Sequence, residues 1–501
     1  MTGSNATNVS PSLPGSHPVL ECAAAGGLES QRFGGSEVRE WFAMQAAGRA
    51  VAGAVVNDFR EIGGLPATGR ILVLAGKGHN GGDALLAAMN LLERFPGATA
   101  DVLPVFGTRP LRPLATRSLQ ALLQGAPGRV RTLPVLRAGS AYDLLLDGIF
   151  GFQFRPPVDA KVAALMAQVN ALPIRMRAAV DLPSGVGGRA VIRADCTYAT
   201  GSVKAPVVDP ANAAAVGRLR YLDLGFFADA AGAAGHERVL TLDVLATLRG
   251  WRDPAGDKRS HGHLMIVGGS RSYPGSVLMA VLAALRSGAG LVTAFVPESL
   301  APAFAARAPE AMWIGWPETP DGGLALEGAH LLRARWEPAT ALAIGPGLGR
   351  EAETLALAQD IVATATVPLV IDADALRPEI VKAGKAPRIL TPHAGEWERI
   401  AQAVPSSAVV IRKGPLTRIT AGQEDYFSPF GGPVLSRGGS GDLLAGLAGG
   451  LLAQAPSDPL NAAARATVWH GRAADLLAET HGQVAVNVTQ LLDFLPSALR
   501  E

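Results

Sequence analysis

Ser436-Arg437-Gly438-Gly439-Ser440-Gly441-Asp442 runs straight into the apolar segment Leu443-Leu444-Ala445-Gly446-Leu447-Ala448-Gly449-Gly450-Leu451-Leu452-Ala453. Leu443, Leu444, Leu447, Leu451 and Leu452 recur at helical spacing, so a helix is predicted to start at or just before Asp442. Gly438, Gly439 and Gly441 allow the backbone ahead of it to turn its N–H groups toward one point. A glycine-rich turn entering a helix N-terminus suits an anion, because unpaired amides and the helix dipole converge there. A carboxylate in that field is held ionised and can act as a base, which makes Asp442 the candidate catalytic residue. An aspartate N-cap after a flexible loop has the same residues, so the decision passes to the neighbouring segments.

Upstream, strand-like runs end repeatedly in polar or glycine-rich turns. His263 to Val267 leads into Gly268-Gly269-Ser270, then Tyr273-Pro274-Gly275-Ser276 and a helix through Arg286. Ala341 to Ile344 leads into Gly345-Pro346-Gly347-Leu348-Gly349, and Leu369 to Ile371 into Asp372-Ala373-Asp374. Ile389-Leu390 precedes Thr391-Pro392-His393-Ala394-Gly395-Glu396, and Val409 to Ile411 precedes Arg412-Lys413-Gly414. Strands alternating with helices, with polar residues at every strand end, describe an α/β sheet with one continuous active-site edge. Singly, His393 reads as a satisfied loop residue, Lys413 as a solvated strand end, and Asp372 or Asp374 as a turn former.

The N-terminal half repeats the pattern. Residues 36–60 read as an amphipathic helix, and Arg70 to Gly76 as a buried strand. That strand enters Lys77-Gly78-His79-Asn80-Gly81-Gly82-Asp83, with a helix predicted from Ala84 to Arg94. Strand, glycine-rich loop and helix form the first unit of a doubly wound sheet. The loop is neither GxGxxG nor a P-loop, since it lacks the GK[ST] ending. Leu144 to Asp147 leads into Gly148-Ile149-Phe150-Gly151, and Ala178 to Asp181 into Leu182-Pro183-Ser184-Gly185. Asn80, Asp147 and Ser184 can thus offer side-chain oxygens to one hard cation such as K⁺.

Composition narrows the class. A chain of 501 residues accommodates two to four domains, and 48% hydrophobic content supplies large cores. Net charge is +2, with 45 basic and 43 acidic residues intermixed, and no basic stripe suggests nucleic acid. Cys22 and Cys196 have no metal-like spacing and form no disulfide framework, which suits a reducing, cytoplasmic location. Residues 1–16 read as a disordered tail. The apolar run at 443–453 is far shorter than the roughly 20 residues that span a bilayer, so no membrane association is expected.

Two resemblances draw these readings together. GKGHNGGD, LLDGIFG, AVDLPSG and Lys204 resemble the YjeF N-terminal domain, the NAD(P)H-hydrate epimerase, over residues 17–225. The resemblance implies a Rossmann-like doubly wound domain that interconverts the R and S hydrates (NADHX and NADPHX). It assigns K⁺ to Asn80, Asp147 and Ser184, and the hydrate to His79, Asn80, Gly81, Gly82, Asp83, Gly151 and Asp181. His79 and Ala84 depart from the family's NNGGDG, and Phe152-Gln153 from its FGTG turn. After a linker at 226–256, residues 257–501 resemble the ADP- or ATP-dependent NAD(P)H-hydrate dehydratase. GGSRSYPGS, IGPGLG, VIDADAL, LTPHAGE, RKG and GGSGDLLAG carry that resemblance, which implies a ribokinase-like α/β domain.

Carried over from the dehydratase, Asp442 is the general base, and Ser276, Gly347, His393 and Asp442 bind the hydrate. Lys413, Gly414, Pro415, Leu416, Thr417, Gly439, Ser440 and Gly441 bind ADP or ATP, with Mg²⁺ on the phosphates. Ser276 stands where alanine is usual, and Arg412 where an apolar residue is usual. Related domains suggest a homo-oligomer. The rival reading is a ribokinase-like small-molecule kinase with a non-catalytic N-terminal binding or dimerisation domain.

Overall fold

The computed structural model describes residues 13–107, 109–137, 139–228 and 235–501. They fall into two compact units, one of residues 17–235 with 478–483, the other of 236–477 with the stretch up to Ser16 and 484–501.

In the N-terminal unit the elements run β1 (Ser16–Leu20), α1 (Cys22–Phe33), α2 (Glu37–Arg60), β2 (Arg70–Ala75), α3 (His79–Arg94), β3 (Thr99–Pro104), α4 (Pro113–Gly125), β4 (Val130–Thr132) and β5 (Tyr142–Gly148). They continue with α5 (Ala160–Asn170), β6 (Ile174–Val180), β7 (Cys196–Thr200), β8 (Val203–Lys204), α6 (Ala213–Val216) and β9 (Arg218–Leu222). The sheet order is β4-β3-β2-β5-β6-β7-β9, parallel throughout. Strand order reverses between β2 and β5, and a doubly wound sheet opens its ligand crevice at that point. Both faces are covered, which is why β2 is a run of aliphatic residues and not an alternating strand.

The C-terminal unit continues with β10 (Glu237–Leu240), β11 (His263–Val267), α7 (Pro274–Arg286), β12 (Leu291–Pro297), α8 (Ala301–Arg307), β13 (Met312–Trp316), α9 (Ala329–Arg333), β14 (Ala341–Ile344), α10 (Ala352–Thr364) and β15 (Leu369–Ile371). It ends with α11 (Pro378–Val381), β16 (Arg388–Leu390), α12 (Ala394–Ile400), β17 (Val409–Arg412), β18 (Thr417–Ala421), β19 (Glu424–Ser428), α13 (Ser440–Gln454), α14 (Pro459–His481) and α15 (Leu491–Ala498). Its strands run in the order β13-β12-β11-β14-β15-β16-β17-β18-β19-β10, parallel from β13 to β17 and antiparallel on either side of β18. The second switch point therefore lies between β11 and β14. Helix α13 starts at Ser440, and every residue from Leu443 to Ala453 is buried. Its glycines let α7 approach: a Cβ on Gly446 would stand 2.1 Å from the Ala280 carbonyl oxygen.

The α/β reading holds in both units, with three local differences. Residues 1–12 of the expected tail lie outside the described residues, whereas Leu13 to Ser16 are tied down, with Arg238 donating to Ser16 Oγ and O at 2.7 Å. Residues 236–256, expected as linker, contain β10 and a 3₁₀ helix, Leu242–Arg249, within the C-terminal unit. His79 to Asp83 form the first turn of α3, not a loop. Among the described residues, no helix is long and apolar enough to cross a membrane.

Candidate active sites

At the C-terminal switch point, Gly439 adopts φ +94°, a left-handed conformation glycine reaches without a Cβ penalty. It opens α13 with no side chain capping the first turn, which leaves the Gly441 and Asp442 amides without an intrahelical partner. Lys413 Nζ lies 2.9 Å from where a Cβ on Gly441 would stand, so its ammonium covers the same turn. Lys413 also donates to Asp372 Oδ1 at 3.3 Å, and Thr391 Oγ1 donates to that oxygen at 2.5 Å. The turn is braced from behind. Ser440 Oγ donates to the Leu435 carbonyl at 2.6 Å, and wholly buried His470 hydrogen-bonds the Ser440 backbone. Burial lowers the His470 pKa to about 4, so the ring is neutral.

Asp442 departs from the expected charge state. Burial, then the nearby Asp372 carboxylate, push its pKa from 3.8 to about 7, against the Ser276 hydroxyl and Lys413. A helix dipole is worth about 0.3–1 kcal/mol at an exposed terminus, too little to offset desolvation here. Gly347 sits at φ +67°, and a Cβ there would stand 2.4 Å from the Tyr273 carbonyl oxygen and 3.0 Å from Ser276 Cβ. Ser276 thereby links the Gly347 turn to Asp442.

His393 has another task. It caps α12, its Nδ1 accepting from the Gly395 and Glu396 amides at 3.1 and 3.4 Å while Glu396 Oε2 accepts from the His393 amide. Its side chain remains 62% exposed, so one face of the ring stays open. Gly414 to Leu416 form the turn between β17 and β18, and Thr417 opens β18 opposite Ser428.

In the N-terminal unit a cavity of about 390 Å³ opens at the switch point. Asp147 is wholly buried and accepts from the Ser184 amide (2.8 Å), the Ser184 hydroxyl (2.6 Å) and the Ile149 amide (3.2 Å). Ser184 Oγ accepts from the Phe150 amide at 2.9 Å, and the Phe150 carbonyl accepts from Asn80 Nδ2 at 2.8 Å. Asn80, Asp147 and Ser184 therefore stand in one bonded chain, with Gly151 packed against Asn80. Burial raises the Asp147 pKa to about 6.

Deeper in the cavity the acids gather. Asp181, a non-glycine residue at φ +68°, pairs with buried Lys204, which also donates to the Thr200 carbonyl at 3.1 Å. The Lys204 ammonium lies 5.2 Å from the centre of the Phe152 ring. Asp83 is half-buried, with its Oδ1 shielded from solvent and unbonded, and burial, reinforced by Asp181 and Glu29, pushes its carboxyl well above the usual range. Gly81 and Gly82 are buried in the same turn, and His79 Nε2 lies 3.7 Å from Glu40 Oε2. Glu29 of α1 also lines the cavity, and burial lifts its pKa to about 7. Sequence reasoning missed Glu29 and His470, since a glutamate or histidine within a helix carries no local signal of where the fold will bring it.

Comparison with known proteins agrees with this division. Residues 42–205 match the family described as YjeF-related protein N-terminus, and residues 264–497 the family described as NAD(P)H-hydrate dehydratase. The chain is 37% identical to a bifunctional NAD(P)H-hydrate repair enzyme of Gloeobacter violaceus, covering 90% of this chain and 92% of that protein. It is 34% identical to the enzyme of the same description from Moorella thermoacetica, covering 91% and 92%. A solved ADP/ATP-dependent NAD(P)H-hydrate dehydratase of Bacillus subtilis, co-crystallised with ATP/Mg²⁺, is 29% identical with TM-score 0.43, over 52% of this chain and 95% of that one. With both halves matched and the likeness running nearly end to end, this chain belongs to the family of bifunctional NAD(P)H-hydrate repair enzymes.

Proposed function

We propose that the N-terminal unit interconverts the R and S hydrates of NAD(P)H, and that the C-terminal unit dehydrates the S form at the expense of ADP or ATP. The observation that most supports the dehydratase assignment is the Asp442 carboxyl beside Ser276 at the open α13 N-terminus, with Lys413 over Gly441. Asp442 takes the proton of the added hydroxyl as its oxygen attacks the terminal phosphoryl group. The Gly441 and Asp442 amides and Lys413 meet the charge spread over that group. Phosphate then leaves the ring carbon with the C–O electrons, pushed by the ring nitrogen lone pair. Loss of the neighbouring C–H proton restores the dihydropyridine. Mg²⁺, bound with the nucleotide, would neutralise phosphate charge.

Epimerisation of the same carbon needs an acid to release the hydroxyl and a base to return water to the other face. We assign these roles to the floor formed by Glu29, Asp83, Asp181 and Lys204, where protonated and ionised groups stand side by side. The oxygens of Asn80, Asp147 and Ser184 suit K⁺: Asp147 is a wholly buried carboxylate with three hydrogen bonds and, among the described residues, no basic side chain paired with it. A monovalent ion there would hold the Phe150 turn and the α3 start together. The assignment is tested with purified S hydrate and either nucleotide, following return of the reduced-nicotinamide absorbance and release of phosphate. One phosphate per NAD(P)H supports it. A stable phosphorylated product without NAD(P)H would turn the C-terminal unit into a kinase.

A further inference from the structure

The lining of the cavity in the N-terminal unit combines a group of acids with two cations. Glu29, Asp83 and Asp181 line its floor, while Lys77 and Arg112 line its rim. Lys77 follows β2, and its Nζ lies 5.1 Å from the centre of the Phe106 ring. Arg112 precedes α4, and its amide donates to the Lys77 carbonyl at 2.9 Å. Its guanidinium stands 4.0 Å from the place a Cβ on Gly78 would take, at the mouth of α3. Among the described residues, neither cation forms an ion pair. Phe150 and Phe154 stack at 3.9 Å beside them and give the rim an apolar wall.

We propose that Lys77 and Arg112 form the phosphate-binding edge of this site, gripping a phosphate ester of the hydrated dinucleotide while its reduced ring reaches the acidic floor. The inference rests on the reading of this cavity as the epimerase site. Arginine's planar fork matches phosphate oxygens two at a time, and lysine adds a mobile point charge. The floor offers a phosphate no free cation, because Lys204 is paired with Asp181, so a ligand with one anionic end and one neutral hydrated ring is oriented with its phosphate toward Lys77 and Arg112. Neither residue stands out in the sequence. Two phosphate sources fit: the diphosphate bridge common to both hydrates, and the ribose 2′-phosphate carried by the NADPH hydrate alone.

The test is steady-state epimerisation by the full chain, started from isolated R hydrate without nucleotide, with the epimers separated by chromatography. Lys77→Ala and Arg112→Ala should each raise KM about tenfold at unchanged kcat, equivalent to about 1.4 kcal/mol for one charge-assisted contact. Arg112→Lys should recover part of the loss. Arg109→Ala, exposed on the same connection and outside the cavity, should leave KM unchanged. A rise with both hydrates assigns the diphosphate, and a rise confined to NADPH hydrate assigns the 2′-phosphate. Unchanged KM in both variants, or a fall in kcat alone, overturns the proposal while leaving the epimerase reading intact. A wild-type chain that does not speed the conversion refutes both.

Discussion

Replacing Asp442 with asparagine keeps the shape of the side chain and removes its capacity to accept a proton. If Asp442 is the base, dehydration of the S hydrate should fall at least about 100-fold, about 2.7 kcal/mol in the barrier, with both KM values within a few-fold of wild type. Its pKa of about 7 gives the wild-type rate a limb that climbs with pH below neutrality and levels off above it. The variant should lose that limb. Stability should move the other way. In the folded chain the carboxyl keeps its proton up to about pH 7, whereas in the unfolded chain it ionises near 3.8. Between those values the folded state binds more protons, so stability falls as pH rises, and the full penalty applies above pH 7. The interval corresponds to at most about 4 kcal/mol, reduced by the water that still reaches the side chain. Asp442→Asn should therefore melt a few degrees above wild type at pH 8, and the gap should shrink as pH falls toward 4. Rate and melting measurements across pH 5–9 decide it. Near-wild-type dehydration, or a variant less stable than wild type at pH 8, would refute the assignment.

Lys413→Ala leaves the Asp372 carboxylate buried with Thr391 as its hydrogen-bond donor, so it should lower the melting temperature and raise the nucleotide KM about tenfold. Lys204→Met breaks a pair in which the lysine is 1% exposed, and should cost about 3–5 kcal/mol and abolish epimerisation while S-hydrate dehydration persists. Gly347→Ala asks an alanine to adopt φ +67° against the Tyr273 carbonyl. A dehydration rate down at least about tenfold with an otherwise normal melt is expected, from about 1–2 kcal/mol of backbone strain plus displaced Ser276. Exchanging K⁺ for tetramethylammonium should slow epimerisation several-fold and leave its oxygen cage empty; an unchanged rate would remove K⁺ from the site.

Most of the fold was legible because both sheets are buried on two faces. Runs such as RILVLA and HLMIV carry no alternation and stop at glycine or aspartate where the chain reaches the crevice. The first turn of α3 was misread because glycines usually mark loops. Here they serve packing: a Cβ on Gly81 would stand 2.3 Å from the Gly76 carbonyl oxygen, and one on Gly82 2.3 Å from Met44 Cε. The Asp147–Ser184 pair could be anticipated because Asp147 lies at the end of one parallel strand and Ser184 in the turn that follows the next. Glu29, His470 and Arg112 could not, since each reaches its site through packing that no local spacing encodes, whereas Lys77 belongs to the glycine-rich segment itself and only its role went unread. The Asp442 charge state was missed for a related reason. Its position at a helix N-terminus can be read along the chain, but its burial beside Asp372 exists only in three dimensions.

The most direct test of a two-activity chain is recovery of reduced-nicotinamide absorbance from an equal mixture of R and S NADH hydrate, with full-length protein, ATP, Mg²⁺ and K⁺. Complete recovery is expected at a rate set by the slower unit, because each R molecule must be converted before it can be dehydrated. Recovery that stops near half, leaving pure R hydrate, would contradict the epimerase assignment. No recovery with either nucleotide would contradict the dehydratase assignment as well.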